Sequence, residues 1–149
     1  MDENHSLSTD LVFDHIGIVV PDVEAGREEL AGMLGPLLWT RCVDDARLGV
    51  SVRFGRDQSG IVYELIAPFG DSSPIGRTLE SRANLLHQIA YRTKSLDYTV
   101  KRLRRQGAIP VSAAAPALAF DGARVQFLMV PLGFLIELIE GERVLHVFS

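Results

Sequence analysis

The chain repeats itself at a fixed offset. Ile61-Val-Tyr-Glu-Leu-Ile-Ala67 returns 73 residues later as Phe134-Leu-Ile-Glu-Leu-Ile-Glu140, which places Glu64 on Glu137 and Leu65-Ile66 on Leu138-Ile139. The same offset carries His15-Ile16 onto Gln88-Ile89, Val23 onto Leu96, and Val50-Ser-Val-Arg-Phe54 onto Ala123-Arg-Val-Gln-Phe127. A repeat of this kind limits the architecture to two copies of one supersecondary unit. A carboxylate inside an apolar strand is costly to bury unless a partner or a metal compensates it. One at the same place in each copy therefore suggests two walls of a single site.

Each copy reads as βαβββ. Phe13 to Val20 is rich in β-branched residues and ends at Pro21-Asp22, with Asp22 as the cap of a helix over Val23 to Leu34 that stops at Gly35-Pro36. Strands follow over Leu37 to Val43, Val50 to Arg56 and the segment holding Glu64. Pro68 to Ser81 joins the copies, with a short helix expected to start at Ser73-Pro74. The second copy gives a strand over Leu86 to Thr93, a helix over Ser95 to Gln106, a short strand over Ile109 to Val111, a loop over Pro116 to Gly122, and strands over Ala123 to Val130 and Phe134 to Ile139. The expected fold is α+β: two tandem βαβββ modules, residues 13–68 and 86–140, whose sheets curl into a shared barrel-like cup spanning residues 13–141. Residues 1–12 and 142–149 read as tails, and the second of these has the option of adding an edge strand.

Composition narrows the function classes. Of 149 residues, 47% are apolar and 23% charged, the balance of an ordinary globular domain and not of a disordered chain. The apolar runs are strand-sized, so no transmembrane helix is expected. The polar first ten residues carry no apolar core of a signal peptide, and the single Cys42 fits a reducing cytoplasm. Net charge is −4, and the one basic cluster, Lys101-Arg102-Leu103-Arg104-Arg105, accompanies Leu96, Val100 and Leu103 at helical spacing. It reads as the solvated face of an amphipathic helix, and neither nucleic acid nor membrane is expected as a partner.

Strand alternation sorts the side chains that can share the cup. His15, Gly17 and Val19 face one way and Ile16, Ile18 and Val20 the other. Glu64 goes with Val62 and Ile66, Gln88 with Ala90 and Arg92, and Glu137 with Leu135 and Ile139. Four polar side chains, His15, Glu64, Gln88 and Glu137, then meet inside. One imidazole, one amide and two carboxylates form a mixed N/O set for a divalent metal such as Co²⁺, Mn²⁺, Ni²⁺ or Zn²⁺. A metal would also relieve the repulsion of two facing carboxylates. Strict alternation points His87 out of the cup, and only a bulge or register slip would turn it inward. Arg92, on the face of Gln88, is placed either to bind a carboxylate or phosphate or to pair with a neighbouring acid.

Asp14-His-Ile-Gly-Ile-Val-Val-Pro-Asp22, Tyr63-Glu-Leu-Ile-Ala-Pro-Phe69, Asp71-Ser-Ser-Pro-Ile75, Leu86-His-Gln-Ile-Ala-Tyr91 and Leu135-Ile-Glu-Leu138 together resemble the vicinal oxygen chelate superfamily. This is the group of glyoxalases, bleomycin-resistance proteins and extradiol dioxygenases, and within it the likeness is to methylmalonyl-CoA epimerases. The resemblance implies that His15, Glu64 and Glu137 are metal ligands. It puts Gln88 where the family usually has the second histidine of a His-His-Ile pair. The turn Val130-Pro-Leu-Gly133 is shorter than the family's, and Val50 to Phe54 lacks a carboxylate that some members carry there.

Two functions follow as expectations. The first is a metal-dependent isomerase, epimerase or lyase acting beside a carbonyl or thioester, possessing Glu137 as base, Glu64 as second candidate and Arg92 as a substrate contact. Its substrate would be a small molecule such as an acyl-CoA, and resemblance implies a homodimer. The second is a binding or resistance protein of the same fold without a catalytic metal, which the glutamine at position 88 favours.

Overall fold

The first copy opens with β1 (Val12–Val19) and α1 (Val23–Leu34). Asp22 caps α1 by accepting a hydrogen bond from the Ala25 N–H at 2.9 Å, and Gly35, at φ 89°, ends it. The short strands β2 (Leu38–Trp39) and β3 (Val43–Asp45) and the longer β4 (Val50–Arg56) and β5 (Val62–Pro68) complete the unit. After α2 (Gly76–Ser81) the second copy runs β6 (Leu86–Thr93), α3 (Leu96–Arg105), β7 (Ile109–Pro110), β8 (Ala115–Pro116), β9 (Arg124–Met129) and β10 (Leu135–Glu140). This computed structural model describes residues 11–35, 37–71, 73–82, 85–142 and 146–149.

Among the described residues the strands form one mixed, unclosed sheet in the order β2-β4-β5-β1-β6-β10-β9-β7, with β3 on β4 and β8 on β9. The first strands of the two copies, β1 and β6, are antiparallel neighbours at its centre, and each runs parallel to the last strand of its own copy. The repeat is thus a pseudo-two-fold across the β1–β6 seam. Val19, Val52, Phe54, Ile66, Phe120, Val125 and Ile139 pack as the interior of the cup. On the other side, Leu96 with Val100 and Leu103 of α3 covers Leu128 and Leu138, while Lys101, Arg104 and Arg105 stay exposed. No helix among the described residues is long and apolar enough to cross a membrane.

The seam carries two bulges. Phe13 pairs with Tyr91 and His15 with Ala90, which leaves Asp14 as an extra residue on β1. Gly17 pairs with Gln88 and Ile18 with Leu86, which leaves His87 as an extra residue on β6. Asp14 and His87 are themselves 73 apart, so each copy has its bulge immediately before the polar residue of the cup. A bulge breaks the strict alternation of a strand and re-aims a side chain.

Other departures from the sequence reading are local. The strand expected over Leu37 to Val43 is split around Thr40, whose Oγ1 donates to the Arg41 carbonyl and accepts from the Phe54 N–H. The helix expected from Ser73-Pro74 starts at Gly76, because the Ser73 hydroxyl donates to the Gly49 carbonyl at 2.6 Å instead of capping. The expected loop over Pro116 to Gly122 holds the end of β8 and a 3₁₀ turn, Leu118–Phe120. The Asp45 carboxylate reaches it from the first copy, accepting from the Leu118 N–H at 3.1 Å. Residues 1–10, Pro36 and residues 143–145, on which parts of the expected tails and the first helix stop fall, lie outside the described residues. Ser149 exchanges backbone hydrogen bonds with Trp39 at 3.2 and 3.4 Å.

Candidate functional site

The two halves converge on His15. Its ring is fully buried, with Nε2 3.0 Å from Glu64 Oε1 on β5 and 3.3 Å from Glu137 Oε1 on β10. Its Nδ1 lies 2.6 Å from Asp14 Oδ2. Where Asp14, Glu64 and Glu137 are ionised they only accept, so both ring nitrogens donate and the ring is charged as an imidazolium. Burial works against that charge, but the facing Glu64 carboxylate and the hydrogen bonds to Asp14, Glu137 and Glu64 outweigh it and hold the pKa well above its ordinary value. Glu64 is pushed up by its burial and by the charge of Glu137, with His15 opposing both.

Gln88 closes the group from the β6 side. Its Nε2 donates to Glu64 Oε1 at 3.1 Å and approaches Glu137 Oε1 at 3.5 Å, while its Oε1 accepts from His87 Nδ1. Gly17 makes this placement possible. It is the cross-strand partner of Gln88, and a Cβ there would lie 2.7 Å from Gln88 Oε1 and nearer still to Cδ and Nε2. The side chains of His15, Glu64, Gln88 and Glu137, selected from the repeat and strand alternation, are brought together.

Two sequence expectations change here. His87, expected to point outward, lines the cup, because the β6 bulge interrupts the alternation on which that expectation rested. Arg92 takes the second of its two expected roles: its Nε donates to Asp14 Oδ1 at 2.7 Å, it is 2% exposed, and it does not line the cavity. Sequence reasoning missed Asp14 and His146. Asp14 had a signal, a polar pair (Asp14-His15) that mirrors His87-Gln88 and breaks apolar alternation at the same place in each copy. His146 had none, since it lies on a segment with no repeat counterpart, yet its Nε2 is 2.8 Å from Asp14 Oδ2.

A cavity of about 310 Å³ opens over the cluster. Glu64, His87, Gln88 and Glu137 form its polar end, and Val50, Val52, Ile66, Val125, Phe127 and Leu135 its apolar walls. The donors suit a divalent ion. Bonds of ~2.1 Å at right angles separate adjacent donors by roughly 3.0 Å, close to the 3.0 and 3.3 Å between His15 Nε2 and the two carboxylates. Ligand atoms of His15, Glu64 and Glu137 all lie within 4.8 Å of one another. A neutral His15 with two carboxylates also carries the double negative charge that a dication cancels. Gln88 would join through Oε1 after its amide turned over, with Nε2 then donating to His87 Nδ1.

The chain matches the model of the Glyoxalase/Bleomycin resistance protein/Dioxygenase superfamily over residues 14–127. It is 32% identical over 132 residues to an ethylmalonyl-CoA/methylmalonyl-CoA epimerase from Cereibacter sphaeroides, covering 88% of this chain and 96% of that protein. The solved methylmalonyl-CoA epimerase from Mycobacterium tuberculosis superposes with a TM-score of 0.74 at 30% identity, covering 95% of this chain and 97% of that one. A hypothetical protein from Bacillus halodurans superposes with a TM-score of 0.77 at 25% identity, over 93% of this chain and all of that one, 100%.

Proposed function

We propose, on the premise that this chain belongs to the glyoxalase/bleomycin resistance/dioxygenase superfamily, a metal-dependent isomerase of the epimerase kind. It would act on the carbon next to a carbonyl or thioester of a small acyl substrate such as an acyl-CoA. The observation that supports this most is the convergence of Glu64 and Glu137, at the polar end of a largely apolar cavity, on the buried His15 behind them. His15, Glu64, Glu137 and the turned amide of Gln88 would hold the ion. The ion, when bound, would supply positive charge beside the substrate carbonyl oxygen, where negative charge grows as the neighbouring C–H loses its proton.

The residues divide the remaining work. Glu137 takes the proton, in a pocket whose apolar walls keep water away from the carbon that loses it. Strand β4 presents Val50 and Val52 to the cavity, and the Asp45 carboxylate that also lines it is engaged by the Leu48 and Leu118 N–H groups, which leaves Glu64 and Glu137 to give a proton back. The apolar walls seat the acyl body, and the cavity leaves a larger carrier group outside.

The test is proton exchange. Protein loaded with Co²⁺ is incubated in D₂O with methylmalonyl-CoA and, separately, with ethylmalonyl-CoA, and deuterium at C2 is read by mass spectrometry. Exchange well above that of Co²⁺ in buffer is the expected result. No exchange with either thioester would overturn the proposal. The competing reading, a binding protein without catalytic metal, draws on Gln88 Nε2, which already satisfies Glu64 and Glu137 in place of an ion. Tight acyl-CoA binding by metal-free protein with no exchange would favour it.

A further inference from the structure

Asp14 is the most heavily engaged side chain next to the cluster, and the mechanism above gives it no task. It is 8% exposed, and three side chains from three parts of the chain donate to its carboxylate. His15 Nδ1 on β1 is at 2.6 Å, Arg92 Nε on β6 at 2.7 Å and His146 Nε2, beyond β10, at 2.8 Å. Burial alone would raise the carboxyl's pKa, but the hydrogen bonds from His146 and His15 hold it far below the usual carboxylate range.

The His146 ring is held as firmly as its hydrogen bond. Its side chain is 1% exposed, and its centroid lies 4.1 Å from that of Phe54, 5.7 Å from Phe120 and 5.9 Å from Phe148. Phe148 is covered in turn by the Arg56 guanidinium, 4.8 Å from the ring centroid. Phe54 and Phe120 also flank His15, at 5.2 and 5.9 Å. His146 thus lies behind the imidazole whose front faces Glu64 and Glu137, with the two ring centroids 6.1 Å apart, and Phe148 backs His146.

We propose that His146 is a positioning residue of this site: through Asp14 it fixes the His15 ring so that Nε2 stays aimed at Glu64 and Glu137. A ligand histidine needs its far nitrogen hydrogen-bonded to set tautomer and ring angle, and loss of such a partner costs 10–100-fold in metal affinity. Asp14, His15 and His146 also have the spacing of a metal site of their own. The Arg92 guanidinium already sits on Asp14, so a second cation there would meet its repulsion, and the group works as a hydrogen-bonded clamp. The inference rests on the reading of His15 as a ligand only for its effect on metal affinity.

Two variants separate positioning from packing. His146→Phe keeps an aromatic ring among Phe54, Phe120 and Phe148 but loses the N–H to Asp14. His146→Gln carries an amide N–H near the position of Nε2. Co²⁺ affinity is measured by calorimetric titration, and solvent exchange of the His15 Nδ1 proton by ¹⁵N-imidazole NMR of the metal-free protein. The expected result is a Kd for Co²⁺ raised about tenfold in His146→Phe, with faster exchange of that proton. His146→Gln recovers most of both. Unchanged affinity and exchange in His146→Phe, or equal losses in the two variants, would overturn the proposal. If the parent protein takes up no Co²⁺, the metal reading falls instead, and the proton exchange alone decides whether His146 positions His15.

Discussion

The Gly17→Ala variant tests the assembly of the site without touching any donor. The added Cβ would lie 2.7 Å from Gln88 Oε1 and closer to Cδ and Nε2, where van der Waals contact needs roughly 3.5 Å. The amide must therefore shift by about 1 Å, which takes Nε2 away from Glu64 Oε1, now at 3.1 Å. Overpacking costs about 1–3 kcal/mol, and a lost hydrogen bond to a charged acceptor about 1.5–3 kcal/mol. Shared relaxation keeps the total near ~3 kcal/mol, a fall in melting temperature of about 10 °C for a chain of this size. Gln88→Ala alone forfeits the hydrogen bonds, about 2 kcal/mol, and also removes the obstacle. The double variant should then cost no more than Gln88→Ala alone, a coupling of roughly 3 kcal/mol. Urea unfolding of the four metal-free proteins, followed by circular dichroism, measures the cycle. Additive costs would refute the placement of Gln88 across Gly17, and with it the geometry of the cup.

Two further outcomes follow from single side chains. Asp45→Ala removes the acceptor for the Leu48 and Leu118 N–H groups, both at 3.1 Å, and so cuts a tie between the copies; unfolding should be easier by about 2–3 kcal/mol, measured in urea. Glu140 sits below the usual carboxylate range because Arg124 donates to it, burial opposing and the Leu96 N–H assisting. A lowered folded pKa gives stability that is present above the ordinary carboxylate value and lost as pH falls through the lowered one. Glu140→Gln should therefore melt below the parent protein at pH 7, and the gap should close as the scans move down through and below the ordinary carboxylate range.

What was legible in the sequence is what obeys a period. The offset that maps Glu64 onto Glu137 fixes the two copies, and alternation from either glutamate selects the cup-facing residues on β5 and β10. The cap at Asp22 and the apolar spacing of Leu96, Val100 and Leu103 locate the helices for the same reason. His87 escaped because a bulge suspends alternation for one residue, and bulges leave only a faint mark in sequence, here a polar pair in each copy. Arg92 was placed on the right face, but its partner Asp14 becomes inward-facing only through the other bulge. His146 depends wholly on tertiary packing: nothing in residues 146–149 shows that Phe54 and Phe120 leave room for a ring behind His15.

The claim that His15, Glu64, Gln88 and Glu137 form a metal site is met most directly by metal analysis of protein purified without chelator. The measurement is repeated on His15→Ala and Glu137→Ala. The account predicts about one divalent ion per chain in the parent protein and its loss from both variants. A parent protein that is free of metal and takes up no added Co²⁺, or variants that keep their ion, would contradict it.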